Sequence, residues 1–188
     1  MIEQSAFEAV FARGLSYERY LATDPARAGS WNAVYERTTL SQQQRDELAG
    51  FTRRMNVLVI SGVWCGDCAQ QGPLLARIAE ASPMIDLRWI DRDREAEFTS
   101  RVTICGGVRV PAVLFASEDY AFCSLGGDRS LARYRGIVRR QLGASCELPW
   151  AEIPADETAE VLREWLLEFE RVQWMLRLSP RLRQLHGD

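Results

Sequence analysis

The chain has 188 residues, 47% of them apolar and 26% charged, with a formal net charge of −3. This suffices for one domain with attachments, and the mild acidity gives no argument for binding nucleic acid or a membrane surface. The start, Met1-Ile2-Glu3-Gln4-Ser5, lacks the basic and apolar run of a secretory signal, and no stretch approaches a membrane span, so a cytoplasmic protein is expected.

The first fifty residues read as helices. Phe7, Val10, Phe11 and Leu15 recur at helical spacing, as do Tyr17, Tyr20 and Leu21, before Asp24-Pro25 breaks the run. A second helix is expected over Ala28–Arg37. Ser41-Gln42-Gln43-Gln44 has the form of a capping box and opens a third, through Leu48 to Arg53. Val57–Ser61 is apolar and β-branched, as a buried strand should be. A helix from Ala69 to Ala81 follows, with Leu74, Leu75, Ile78 and Ala79 on one face.

A strand over Asp86–Asp91 and a helix over Arg94–Val102 come next. Strands Ala112–Ala116 and Ala121–Leu125 would pair antiparallel across Ser117-Glu118-Asp119-Tyr120. A helix from Ser130 to Leu142, capped by Asp128, closes this part. The last long helix, Asp156 to Leu178, carries one stripe of Val161, Leu162, Trp165, Leu166, Phe169, Val172 and Leu176. Packing on the core is the simplest use of that stripe; a homodimer contact or a lid over the substrate groove, with Trp165, Trp174 and Met175, is the alternative. His186 falls in a tail expected to fray.

Trp64-Cys65-Gly66-Asp67-Cys68 carries the chemistry, because it sits where a strand hands over to a helix. Unpaired N–H groups and the positive end of the macrodipole at a helix N-terminus favour the thiolate, the form that attacks a disulfide. The second cysteine lies one helical turn on and can close a ring with the first. A C-x-x-C also occurs in zinc sites, which want four ligands. Here Cys105, Cys123 and Cys146 are single and widely spaced, and His186 is the sole histidine. No metal and no cofactor is therefore expected. Five cysteines, an odd number without a disulfide-framework pattern, fit a reducing compartment.

The segment resembles the active site of the thioredoxin superfamily, where a strand precedes Trp-Cys-Gly-Pro-Cys and a long helix. Pro73 stands where that family has a proline in the helix, and Val110-Pro111, running into Ala112-Val113-Leu114-Phe115, resembles its cis-proline segment. The resemblance covers roughly Phe51 to Cys146. It implies an α/β fold, a thioredoxin-like three-layer α/β/α arrangement around a mixed sheet, with helices added at both ends: 1–50, a core over 51–146, and 147–188. The strand with which such folds often begin is not evident here and is expected to be absent or replaced.

The resemblance also implies roles. Cys65 would be the nucleophile, Cys68 the resolving thiol, Trp64 an apolar flank, Gly66 a point of close approach, and Pro111 with Val110 the facing loop that pairs with an extended substrate. The partners would be a disulfide-bearing protein or small molecule and a separate electron donor. A different class is open as well: a binding module that holds a partner segment in the same groove without catalysis.

Two departures bear on activity. Asp67 replaces the family's proline and, if well solvated, opposes thiolate formation weakly. Val59 takes the place of a buried aspartate that helps deprotonate the resolving cysteine, leaving water or Asp67 to do so and predicting slower general reductase activity. Two arginine-bearing loops, Asp91-Arg92-Asp93-Arg94 and Gly106-Gly107-Val108-Arg109, are placed to flank the site, Arg109 two residues before the proline. Surface ion pairs are the plainer reading of these residues.

Overall fold

The computed structural model describes residues 2–142 and 155–188. In chain order the elements are α1 (Gln4–Arg13), α2 (Tyr17–Leu21), α3 (Ala28–Arg37), α4 (Gln42–Ala49), β1 (Met55–Ser61), α5 (Gly66–Glu80), β2 (Ile85–Asp91), α6 (Ala96–Thr99), β3 (Ala112–Ser117), β4 (Phe122–Leu125), α7 (Leu131–Leu142), α8 (Glu157–Leu178) and α9 (Pro180–His186). Cys146 lies outside the described residues.

Among these residues the sheet has four strands in the order β2-β1-β3-β4. β1 runs parallel to β2, with Val59 opposite Trp89, and antiparallel to β3, with Ile60 opposite Ala112. β4 extends β3 as a hairpin whose register shifts between Phe115 and Ala116. All seven residues of β1 are buried, because helices cover both faces of a central strand; that is why it reads as a continuous apolar run.

Strand alternation sends the core to two sides. Val57, Val59, Val113 and Phe115 share a cluster with residues of α3, α5 and α8. Leu58, Ile60, Ala112, Leu114 and Ala116 pack with Phe7, Val10 and Phe11 of α1 and with Phe98. The result is three layers, with the added helices built into both outer ones. The whole expected stripe of α8 is buried, its Phe169 edge-on to Phe115 with ring centroids 5.1 Å apart. Trp174 and Met175 stay exposed.

The opening strand, expected to be absent or replaced, is reduced to a one-residue bridge. Leu15 exchanges both backbone hydrogen bonds with Trp89, each 2.9 Å, on the outer edge of β2. The expected capping box forms, Ser41 Oγ accepting from Gln44 N–H and Gln44 Oε1 from Ser41 N–H.

Four expectations need correction. The third N-terminal helix stops at Ala49 rather than Arg53, capped at Gly50, and Gln173 of α8 then takes the N–H groups of Thr52 and Arg53. The helix expected over Arg94–Val102 is the single turn α6, since the Asp91 carboxylate draws the N–H groups of Asp93 and Arg94 into a turn. Asp128 does not cap α7: its carboxylate holds Tyr134, Arg109 and Arg129, and Glu164 of α8 accepts from Ala132 N–H instead. The tail expected to fray is α9, with Leu182 buried and His186 Nε2 2.7 Å from Glu118.

Candidate active site

Cys65 is the N-cap of α5, so the cysteine pair occupies the helix start and the helix begins three residues earlier than the apolar pattern suggests. Both cysteines are free thiols. Cys68 N–H donates to Cys65 Sγ at 3.4 Å, and the Cys65 thiol faces the Val110 carbonyl at 3.6 Å. The Val110–Pro111 peptide is cis, and Pro111 itself is buried. Strand β3 begins immediately after it, so the loop that faces the cysteines is anchored by the sheet.

The two thiols differ in environment. Cys65 is part-exposed, Cys68 fully buried. The hydrogen bond between the two side chains lowers the Cys65 pKa most; partial burial opposes this, and the backbone N–H groups of Cys68 and Asp67 add to the lowering, to about 6. Burial pushes the Cys68 thiol well up, and the negative sulfur of Cys65 adds to that. One sulfur is thus poised as thiolate and the other as thiol, as an attacking and a resolving cysteine require.

The condition of a well-solvated Asp67 is not met. Asp67 is part-buried and ion-paired, accepting from Arg129 Nε at 2.9 Å and from Arg133 Nε at 2.9 Å. Burial would raise its pKa, but the hydrogen bonds and charges of the two guanidiniums outweigh this and hold it below the usual carboxylate range. Its repulsion of the Cys65 thiolate ranks below the hydrogen bonds to that sulfur and below its burial.

Trp64 is 42% exposed and flanks the site rather than filling the core. Its indole lies over Gly62, where a Cβ would come within 2.5 Å of the ring, and the Arg92 guanidinium sits 4.7 Å from the ring centroid. Gly66 has open space above it. Of the two arginine loops, that of Arg92 lies at the dithiol, since the Cys65 charge acts on it. Arg109 is turned to Asp128 at 3.2 Å.

Four further residues stand at this site with no sequence signal to mark them there. Trp31 of α3 donates its indole N–H to the Val63 carbonyl at 3.0 Å and lies on α5 at Gly72, where a Cβ would fall 2.2 Å from the ring. Gln71 of α5 donates to the Asp128 carbonyl and accepts from Trp165 and Ser130. Tyr20 and Ser61 lie on the buried side of Cys68. The i, i+4 spacing of Arg129 and Arg133 was the one local cue, since it brings two cations to one face of a helix start.

A family described as thioredoxin matches residues 14–127. A protein of unknown function from Pseudomonas aeruginosa is similar in structure at a TM-score of 0.63 and 20% identity, over 90% of this chain and 99% of that one. An HIV epitope scaffold is similar at 0.63 and 20%, over 86% and 97%. Both likenesses include the added helices and speak for the fold. Thioredoxin from Fasciola hepatica aligns over 53% of this chain and 88% of its own, at 19% identity and a TM-score of 0.36. No curated protein matches. No helix among the described residues is long and apolar enough to cross a membrane.

Proposed function

The chain belongs to the thioredoxin family, and from the geometry of its dithiol we propose a thiol–disulfide oxidoreductase that reduces protein or small-molecule disulfides through Cys65 and Cys68. The observation that carries this reading is the split between the two sulfurs: Cys65 at a helix N-terminus with a pKa of about 6, Cys68 buried beneath it and pushed up.

The Cys65 thiolate attacks one sulfur of the substrate disulfide. That S–S bond breaks, a Cys65–substrate bond forms, and the departing thiolate takes a proton. Cys68 then loses its proton and attacks Cys65 Sγ, expelling the second substrate thiolate. The substrate gains two electrons and two protons, and the protein is left as the Cys65–Cys68 disulfide. A separate donor returns it to the dithiol. The Val110 carbonyl, 3.6 Å from Cys65 Sγ, is placed to accept from the backbone of an extended substrate. Trp64 gives that substrate an apolar flank. A reducing compartment such as the cytoplasm suits this direction.

Titration against glutathione, with free thiols counted by mass after alkylation, tests the reading. A two-electron transition absent from Cys65→Ser is expected, near or below about −270 mV. If no Cys65–Cys68 disulfide forms across the range, the enzyme falls and a binding module with the same fold takes its place.

A further inference from the structure

The loop that faces the dithiol is lightly tied. Among the described residues, the side chains of residues 103–110 make one hydrogen bond to the rest of the protein, from Arg109 Nη1 to Asp128 Oδ2 at 3.2 Å. The Asp128 side chain is 4% exposed, so water competes little for its charge. The same oxygen meets Arg129 Nη1 at 3.5 Å, and Arg129 Nε donates at 2.9 Å to Asp67, between the two cysteines. One buried carboxylate thus joins both sides of the groove, the residues leading into Pro111 and the turn of Cys65-Gly66-Asp67-Cys68. Asp128 is itself held from three sides. Tyr134 of α7 donates to Oδ1 at 2.6 Å, and Gln71 of α5 donates to the Asp128 backbone carbonyl at 3.0 Å. Just before it, Gly126 N–H bonds the Val113 carbonyl of β3 at 2.7 Å. The carboxylate is a fixed point, and Arg109, its side chain 39% exposed, reaches in to it from the loop.

We propose that Asp128 is a positioning residue of the substrate groove: through Arg109 it sets the Val110 carbonyl over Cys65, so that the dithiol acts best on disulfides borne by an extended peptide. The proposal rests on the dithiol reading above. Val110 follows Arg109 directly, and its carbonyl lies 3.6 Å from Cys65 Sγ. An extended substrate has to offer a backbone N–H to that carbonyl while its sulfur meets Cys65. A loop held at one height satisfies both contacts at once and leaves less ordering to be done on binding. A small disulfide without a backbone needs Cys65 alone.

An ion pair that served the fold alone would act on every substrate alike. Arg140 and Glu157, 2.6 Å apart, make such a pair. They reach Asp67 through Arg133 and have no bond to the loop. Arg109 and Arg129 share the Asp128 carboxylate but lead to different places, one to Val110 and the other to Asp67. The loop can therefore be released while the turn of the cysteines keeps its arginines.

The test is single-turnover oxidation of the reduced full chain, with Cys105, Cys123 and Cys146 replaced by serine, by two probes. One is a disulfide-linked dimer of a short uncharged peptide, the other hydroxyethyl disulfide. In Arg109→Ala and Asp128→Asn, each checked for native near-UV circular dichroism, oxidation by the peptide should slow by at least about tenfold. Oxidation by the small disulfide should stay within about twofold of the parent. The double variant should be no slower than the slower single one, since both remove the same contact. Arg109→Lys, which keeps a cation for Asp128, should fall between the parent and Arg109→Ala, and Arg140→Ala should not separate the probes. Alkylation of Cys65 in Arg109→Ala should keep its inflection near 6. Equal slowing with both probes, slowing with neither, or a moved inflection overturns the positioning role alone. Arg109→Ala decides the matter by itself if Asp128→Asn does not fold. A parent that neither probe oxidises overturns the dithiol reading and the proposal with it.

Discussion

Trp31 and Trp165 reach the same helix from opposite ends of the chain, and they grip it in different ways. The Trp31 indole N–H ends on backbone, the Val63 carbonyl two residues before Cys65, at 3.0 Å. The Trp165 indole N–H ends on a side chain, Gln71 Oε1, at 3.2 Å. Gln71 passes that hold to the loop before α7 through Ser130 N–H and the Asp128 carbonyl. The N-terminal helices are therefore part of the cysteine turn itself, whereas the C-terminal helix braces the helix behind it. An addition to a fold can be structural in one case and chemical in the other, at equal burial.

The largest effect should come from deleting a ring. Trp31→Ala is expected to cost about 3–5 kcal/mol in urea unfolding, because a fully buried indole leaves a cavity among Tyr20, Trp89 and α5. Trp31→Phe keeps most of the packing and removes only the donor. It should cost about 1–3 kcal/mol through the stranded Val63 carbonyl and raise the Cys65 pKa, since the turn that aims Cys68 N–H at the sulfur loosens. Trp165→Phe should cost a similar amount and leave that pKa in place. Equal pKa shifts in the two phenylalanine variants would break the comparison.

The same contact can be approached from α5. In Gly72→Ala the new methyl would stand 2.2 Å from the Trp31 ring, so the indole must move, at about 1–3 kcal/mol. The measurement is again unfolding paired with the pH profile of Cys65 alkylation. A stabilised variant, as the helix propensity of alanine alone would give, would show that the ring has room to yield.

Local pattern made the elements legible and left the contacts between them hidden. The bounds of α3, the stripe of α8 and the Ser41 capping box all follow from residues within a turn or two of one another. The place of Cys65 and Cys68 at a strand-to-helix junction was legible for the same reason. Trp31 meets Val63 across 32 positions, and nothing in Ser30-Trp31-Asn32 distinguishes a core tryptophan from one that serves a cysteine turn. The spacing of Tyr17, Tyr20 and Leu21 marks a short helix whose buried residues are Tyr20 and Leu21, but not what they pack against. Asp128 was in a good place to cap a helix, but its carboxylate went to its neighbours Arg129 and Tyr134 and to Arg109, 19 positions away, a competition that cap preference alone does not register. The surroundings of Asp67 were hidden because its two arginines come from 62 and 66 residues away.

Asp67 tests the exposed side of the site. Asp67→Asn removes a charge shared by Arg129 and Arg133 and should cost about 1–2 kcal/mol, between the values for exposed and buried pairs. Two guanidiniums freed beside Cys65 should lower its pKa further and make the disulfide more oxidising, read by the same glutathione titration. A potential that falls instead would mean that the carboxylate orients the turn more than it repels the thiolate.

The smallest effect, and the sharpest for the comparison, is in the pH dependence of stability. In the folded dithiol Cys65 titrates at about 6, and in the unfolded chain at about 8.5. A group whose pKa is depressed by folding contributes stability that is fully present above the unfolded value and is lost as pH falls through the folded one. The melting temperature of the reduced protein should therefore rise relative to the oxidised protein as pH goes from about 6 to about 8.5. Every carboxylate is common to the two forms, so the difference isolates the cysteines. The raised Cys68 pKa acts in the opposite sense: its contribution is lost only as pH rises from the unfolded value through the folded one, so it begins to count above that window. Scanning calorimetry of both forms should show the rise intact in Trp165→Phe and flattened in Trp31→Phe. A rise that survives in both would place the control of Cys65 in α5 alone and leave Trp31 a packing residue.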